Sequence, residues 1–180
     1  MNPIDIISKY YDVDSDAYRI LVCHSNSVAD KALQIAGQHS EMNLDIDFIR
    51  EAAMLHDVGV FLCNAPEIGC FGDAEYICHG FLGAELMRKE GYPRHAHVCE
   101  RHTGTGITKE EIIERELPLP HYDMLPLSVE EQLICFADKF YSKTSLGKER
   151  SLDKIRKGLT KYGEDSLLRF EQMRKLFFGD

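Results

Sequence analysis

Six side chains in this chain of 180 residues have the types and the spacing to hold a divalent metal: His24, the adjacent pair His56-Asp57, His79, His102 and Asp138. An imidazole and an ionised carboxylate at the end of one helix can both reach a single ion, and ligands of this mixed kind suit iron, manganese, zinc or cobalt rather than calcium. A His-Asp pair alone is a common accident of helix ends, so the weight falls on the other four. Each of them lies in or beside a different predicted helix. Helix bundles build metal sites in this way, by projecting imidazoles and carboxylates inward from several facing helices.

The elements that must position these residues follow from periodicity. Apolar residues from Ile20 to Ala36 recur at helical spacing over about Asp16 to Gln38, which places His24 inside a helix. A second helix is predicted over Asp47 to Val58 with Gly59 as its stop, so that His56 and Asp57 occupy its last turn. A third is expected from about Asp73 to Lys89, ending at Gly91, and a fourth from Pro93 towards His102. Thr-Gly-Thr-Gly at 103–106 breaks the pattern. Thr108 with Glu111 has the spacing of a capping box for a short acidic helix, and Ser128 with Glu131 repeats the signal before the helix that bears Asp138. Between them Leu117 to Leu127 holds three prolines and reads as a loop. Ser151 to Phe178 reads as two more helices separated near Gly163, and no run alternates as a β-strand does. The fold class is therefore all-α, in one domain spanning residues 1–180.

Composition narrows the function classes. Thirty acidic residues against 21 basic ones give a net charge of -9, which argues against a nucleic-acid duplex as partner, while bound divalent ions can still invert the sign of an acidic pocket for a small anion. Met1 to Tyr11 lacks the basic start and apolar run of a secretion signal, and the most apolar stretch, Ala52 to Cys63, is too short and too polar for a membrane span. A soluble, cytoplasmic protein is expected. The six cysteines form no Cys-x-x-Cys pair and read as buried thiols; a zinc site of Cys63, Cys70, Cys78 and His79 is the less favoured alternative. His39, His95 and His97 read as surface residues.

The wording around the ligands is specific: Ala53-Met54-Leu55-His56-Asp57-Val58-Gly59, then His79-Gly80, His102-Thr103-Gly104 and Ala137-Asp138-Lys139. Over about Val22 to Ser145 the chain resembles the HD-domain superfamily of metal-dependent phosphohydrolases, and within it the two-metal branch that includes the YqeK-type hydrolases of diadenosine tetraphosphate. The resemblance implies a helical bundle with its metal site in the core. It also implies that His24, His56, Asp57 and Asp138 hold one metal and that His79 and His102 hold a second, with Asp57 bridging. Iron or manganese is favoured on the same ground, with zinc, cobalt or nickel as alternatives. Two ions about 3.5–4 Å apart can share a water and clamp an in-line displacement at phosphorus. The expected substrate is a small phosphorylated molecule, a nucleotide or dinucleotide. A one-metal phosphatase using only His24, His56, Asp57 and Asp138, and a nucleotide sensor without turnover, are the competing readings.

One departure matters. Many two-metal relatives have a lysine shortly after the pair, in a phrase like HDIGK, whereas this chain continues Val58-Gly59-Val60-Phe61. Lys139 is the first candidate to replace that cation and, with Asp57, to act in catalysis; Arg101, Lys109 and Lys143 are others. His121 and Tyr122, in the proline-rich loop, could stack on a base. Arg150, in the basic run Lys148 to Lys161, has the planar fork that suits a phosphate, although a solvated helix face is the commoner meaning of such a run.

Overall fold

The computed structural model describes residues 1–179. It is mostly helical: α1 (Pro3–Tyr10), α2 (Asp16–Ala36), α3 (Ile46–Leu55), α4 (His79–Lys89), α5 (Pro93–Arg101), α6 (Lys109–Glu114), α7 (Val129–Asp138), α8 (Leu152–Leu159) and α9 (Glu164–Phe178). No described helix is long and apolar enough to cross a membrane.

The helix starts follow local chemistry. Ser15, Asp45, Thr108, Ser128 and Ser151 each accept a backbone N–H of the first turn they precede. Thr108 and Glu111 form the reciprocal capping box. Ser128 and Glu131 make only half of one, because the Glu131 carboxylate accepts the Leu127 N–H at 2.9 Å and pairs with Arg101 at 2.9 Å. Helix α1 was not expected from the sequence, since eight residues carry too little periodicity; Pro3 at its start, the Asn2 cap and buried Ile6 and Ile7 account for it.

Helix α7 runs through the core. Leu133, Ile134, Cys135, Phe136 and Ala137 are all fully buried, and the helix packs on α2, α3, α5 and α9. The Phe136 ring meets those of Phe140, Phe170, Phe177 and Phe178 with centroids 5.2–5.7 Å apart, which joins the C-terminal helices to the bundle. Asp138 at the end of α7 is thereby held by a helix whose residues 133–137 are fully buried.

Between α3 and α4 the chain departs from the all-helical expectation. A 3-10 turn (Val58–Leu62) leads into a two-residue hairpin, β1 (Asn64–Ala65) against antiparallel β2 (Cys70–Phe71), with Asn64 opposite Phe71 and Ala65 opposite Cys70. Residues 73–78, expected as helix, are a bridge and a second 3-10 turn, so α4 begins at His79 itself. The Tyr11 hydroxyl clamps the first of these turns, donating to the Val58 carbonyl at 3.0 Å and accepting the Phe61 N–H at 3.1 Å. That turn is where Asp57 sits.

Candidate metal centre

Five helices and the turn after α3 deliver the six donors. His24 projects from the middle of α2, His56 closes α3, Asp57 opens the turn after it, His79 starts α4, His102 follows α5 and Asp138 ends α7. All are buried except Asp138, whose side chain is partly exposed. Asp57 lies at the centre. Its Oδ2 is 3.2 Å from His24 Nε2 and 3.0 Å from His56 Nε2, and its Oδ1 is 3.3 Å from both His79 Nε2 and His102 Nε2. Asp138 Oδ1 completes the first set, 3.1 Å from His24 Nε2 and 3.5 Å from His56 Nε2. Two groups capable of holding an ion result, His24-His56-Asp57-Asp138 and Asp57-His79-His102, with Asp57 common to both.

The backbone sets the imidazoles. His56 Nδ1 donates to the Ala53 carbonyl at 2.6 Å, His79 Nδ1 to that of Tyr76 at 2.6 Å and His102 Nδ1 to that of Cys99 at 2.8 Å. A carbonyl only accepts, so in the neutral imidazoles each Nε2 is a bare lone pair facing inward; His56 carries a second proton there when it is charged. His79 Nε2 and His102 Nε2 then face each other at 3.1 Å as two acceptors. That approach is unfavourable unless a cation lies against both. Asp57 Oδ1 is buried without a hydrogen bond, whereas Oδ2 meets the Lys143 ammonium. Orphaned donors of this kind, all nitrogen and oxygen, fit a divalent metal.

The electrostatics agree. Burial favours neutral Asp57, but the neighbouring His56 and Lys143 charges overcome it and hold the carboxyl well below the usual range. Burial likewise favours neutral His56, and the Asp57 and Asp138 carboxylates outweigh it, raising the group to about 9. His102 is pushed down to about 4, first by its burial. Because the folded His56 value lies above its ordinary 6.5, its pairing in the metal-free protein contributes stability in full below about pH 6.5 and loses it as pH rises through about 9. The urea midpoint of chelated protein is expected to fall between those two pH values, relative to that of His56→Gln; parallel profiles would contradict the assignment. Metal uptake at neutral pH should release a proton, since a ligating imidazole is neutral.

Two glycines allow the elements to close on one another. A Cβ at Gly59 would lie 2.4 Å from both the Gly83 nitrogen and the His79 carbonyl oxygen, and one at Gly80 would lie 2.6 Å from the Cys99 carbonyl oxygen. The glycine after the His-Asp pair is thus the surface on which α4 rests. Gly59→Ala must push α4 outward, with an expected cost of about 1–3 kcal/mol or more in thermal denaturation and a fall in bound metal as His79 retreats.

A cavity of about 610 Å³ opens beside the donors. Lys139, Lys143 and Arg150 line it, together with the Thr103 to Gly106 segment, read from the sequence only as a break, and residues for which the sequence carried no signal, among them Tyr76, Ile107 and Arg169. Lys143 Nζ is 2.5 Å from Asp57 Oδ2, and Lys139 Nζ is 2.8 Å from Asp138 Oδ2. Lys143 lies past the end of α7, which stops at Asp138 where the chain turns.

The other substrate candidates are not brought to this cavity. Arg101 is tied to Glu131 across α5 and α7, and Lys109 is exposed outside the lining. The proline-rich loop packs against the side of the molecule instead of covering the site. Met124 exchanges backbone hydrogen bonds with Ile107, Leu119 is buried beside Ile112, and the Tyr122 hydroxyl donates to Glu100 at 2.6 Å while His121 faces solvent. His95, expected at the surface, is buried beside Glu51 and the rings of Phe48 and Tyr92. Five cysteines are buried thiols and Cys23 is exposed; among the described residues Cys63, Cys70 and Cys78 join no metal-holding group.

Comparison with known proteins decides the family. The HD domain pattern matches residues 21–142, more than half of the chain. The chain belongs to the HD domain family. This HD domain is 36% identical over 121 residues, 66% of the chain, to a Methanocaldococcus jannaschii protein named only as uncharacterized, of which the match covers 64%. It is 30% identical over 175 residues to a Thermoplasma volcanium protein named tRNA (cytidine(56)-2'-O)-methyltransferase, covering 96% of the chain and 44% of that protein. A Picrophilus torridus protein of the same name is 31% identical over 124 residues, 68% of the chain and 32% of that protein. The chain thus spans less than two thirds of the length of each of these relatives, and none of the three is named as a diadenosine tetraphosphate hydrolase. No solved structure matches.

Proposed function

We propose that this HD domain is a metal-dependent phosphohydrolase that cleaves a phosphoanhydride or phosphoester bond of a nucleotide or dinucleotide, with two divalent ions sharing Asp57. The observation that carries the reading is the division of labour on that one carboxylate. Oδ2 faces the His24-His56-Asp138 set and Oδ1 faces His79 and His102. When bound, divalent ions there supply water activation near neutral pH and polarisation of a phosphoryl oxygen.

The protein's own groups do the rest. Lys139 and Lys143 are ammonium ions: burial opposes the charge, and the Asp138 and Asp57 carboxylates restore it. They provide the fixed positive charge that a phosphoryl oxygen needs, in place of the lysine missing after the pair. Arg150, also on the cavity wall, can take two phosphate oxygens at once. The Nδ1 bonds to backbone carbonyls keep the imidazoles oriented, so no reorganisation is required on substrate entry.

Iron or manganese is proposed from the family resemblance, with zinc, cobalt or nickel compatible with the same donors. Symmetric cleavage of diadenosine tetraphosphate rests on the motif wording alone. Methyl transfer to tRNA, which two relatives' names state, belongs to proteins more than twice as long as the matched segment and is not carried over. Removal of metal by chelation is expected to stop phosphate release from nucleotides, and Mn2+ or Fe2+ added without oxygen to restore it. Undiminished turnover after complete chelation would refute the reading, and tight nucleotide binding without product would favour a sensor.

A further inference from the structure

The family match ends at residue 142, yet much of the cavity wall lies beyond it, in α8, the turn after it and α9. This wall is rigidly joined to the metal side. The Thr105 hydroxyl, in the loop after His102, donates to the Ser166 carbonyl at 3.0 Å. Arg169 donates to the Gly106 carbonyl at 3.0 Å and pairs with Glu111 at 2.8 Å. The basic segment before α9 is therefore held at a set place relative to His102.

Cations of that segment face both ways: exposed Lys148 and Lys157 lie outside the cavity lining, and among the described residues neither pairs with a carboxylate. Arg156 is outside the cavity lining and is neutralised by Glu171 at 2.7 Å and Asp153 at 3.2 Å. Arg150, Lys154 and Lys161 line the cavity, and among the described residues none of them pairs with a carboxylate. In a chain with a net charge of -9, carboxylates are plentiful, so three unpaired cations on one concave wall form a site for a multiply charged anion. Beside them the wall turns apolar, with Ile155 and Leu159. Tyr162 stands at its edge, half exposed, with the Arg115 guanidinium 5.8 Å from its ring centroid.

We propose that α8 and the turn after it form a distal subsite for a nucleoside polyphosphate, in which Lys154 and Lys161 hold phosphates other than the one attacked and Tyr162 stacks on the base. The inference rests on the phosphohydrolase reading for the direction of the substrate: the attacked phosphate lies at Asp57, Lys139 and Lys143, and the remaining phosphates run towards Lys154 and Lys161. The substrate class is thereby narrowed from nucleotides and dinucleotides in general to those with at least two phosphates.

The test compares kcat/KM for ATP with kcat/KM for p-nitrophenyl phosphate on Mn2+-loaded protein. All three positions are exposed, so the variants fold. In Lys154→Ala/Lys161→Ala the ratio of ATP to p-nitrophenyl phosphate is expected to fall at least about tenfold, through KM for ATP, the scale of losing charge-assisted contacts to phosphate. Tyr162→Ala should lower the ratio as well, and Tyr162→Phe should retain it. Ratios within about twofold of wild type would overturn the subsite, since phosphate contacts act on a larger scale. If the wild type hydrolyses neither compound, the phosphohydrolase reading is left to the chelation experiment with nucleotides and dinucleotides, and calorimetric titration with ADP decides the subsite by itself. Binding that weakens in the double variant upholds it; no binding to wild type, or equal binding to both, overturns it.

Discussion

Asp57→Ala is expected to abolish the proposed phosphate release and to cost metal at both donor sets. The carboxylate is the one group within 3.3 Å of His24, His56, His79 and His102, so its removal takes a ligand from each set at once. Activity is expected to fall by at least about a thousandfold, the scale on which an essential catalytic group acts. Bound metal, measured by mass spectrometry on protein purified without chelator or oxygen, should fall at both sets. The same change leaves Lys143 buried without its carboxylate and His56 with Asp138 alone, so the alanine protein will be less stable without metal. Asp57→Asn keeps the shape and separates the two effects. It should melt closer to wild type and yet remain inactive, because an amide carries no charge to offset the cations. Full activity in Asp57→Ala would overturn the site.

The His79→Ala, His102→Ala double variant should drop from about two metals per chain to about one, since the remaining four donors still form a complete set. Hydrolysis should fall with the second metal. The substitution also removes two lone pairs that oppose each other at 3.1 Å, so the metal-free variant is not expected to lose stability in proportion to the buried volume removed. A single metal in wild type, unchanged in the double variant, would instead assign a mononuclear phosphatase in which His79 and His102 act on the phosphate or the leaving group. The same measurement therefore distinguishes two chemistries on one scaffold.

How much of this was legible in the chain differs from residue to residue. The helical carriers of His24, His56 and Asp138 could be placed because 3.6-residue periodicity and polar caps are local properties. Local signals also misled. The helix expected from Asp73 begins only at His79, because the chain between is held by the hairpin and by the Cys63 bridge to Ala74. The Ser128-Glu131 spacing looks like a capping box, but Arg101 from another helix claims the glutamate. Tyr11, which clamps the turn bearing Asp57, is 47 residues from its Val58 partner and left no trace in the pattern.

The sequence by itself determined which side chains can ligate a metal, that they ride on or beside helices, and where the helix before Gly59 stops, because residue type and periodicity are written locally. Only the tertiary structure decided which cations meet them. Lys143 and Arg150 line the cavity while Arg101, Lys109, His121 and Tyr122 do not, since a long side chain's neighbours depend on how distant helices cross. The split of Asp57 between two donor sets is of the same kind: it arises where α2, α3, α4, α5 and α7 converge, and no stretch of chain contains it.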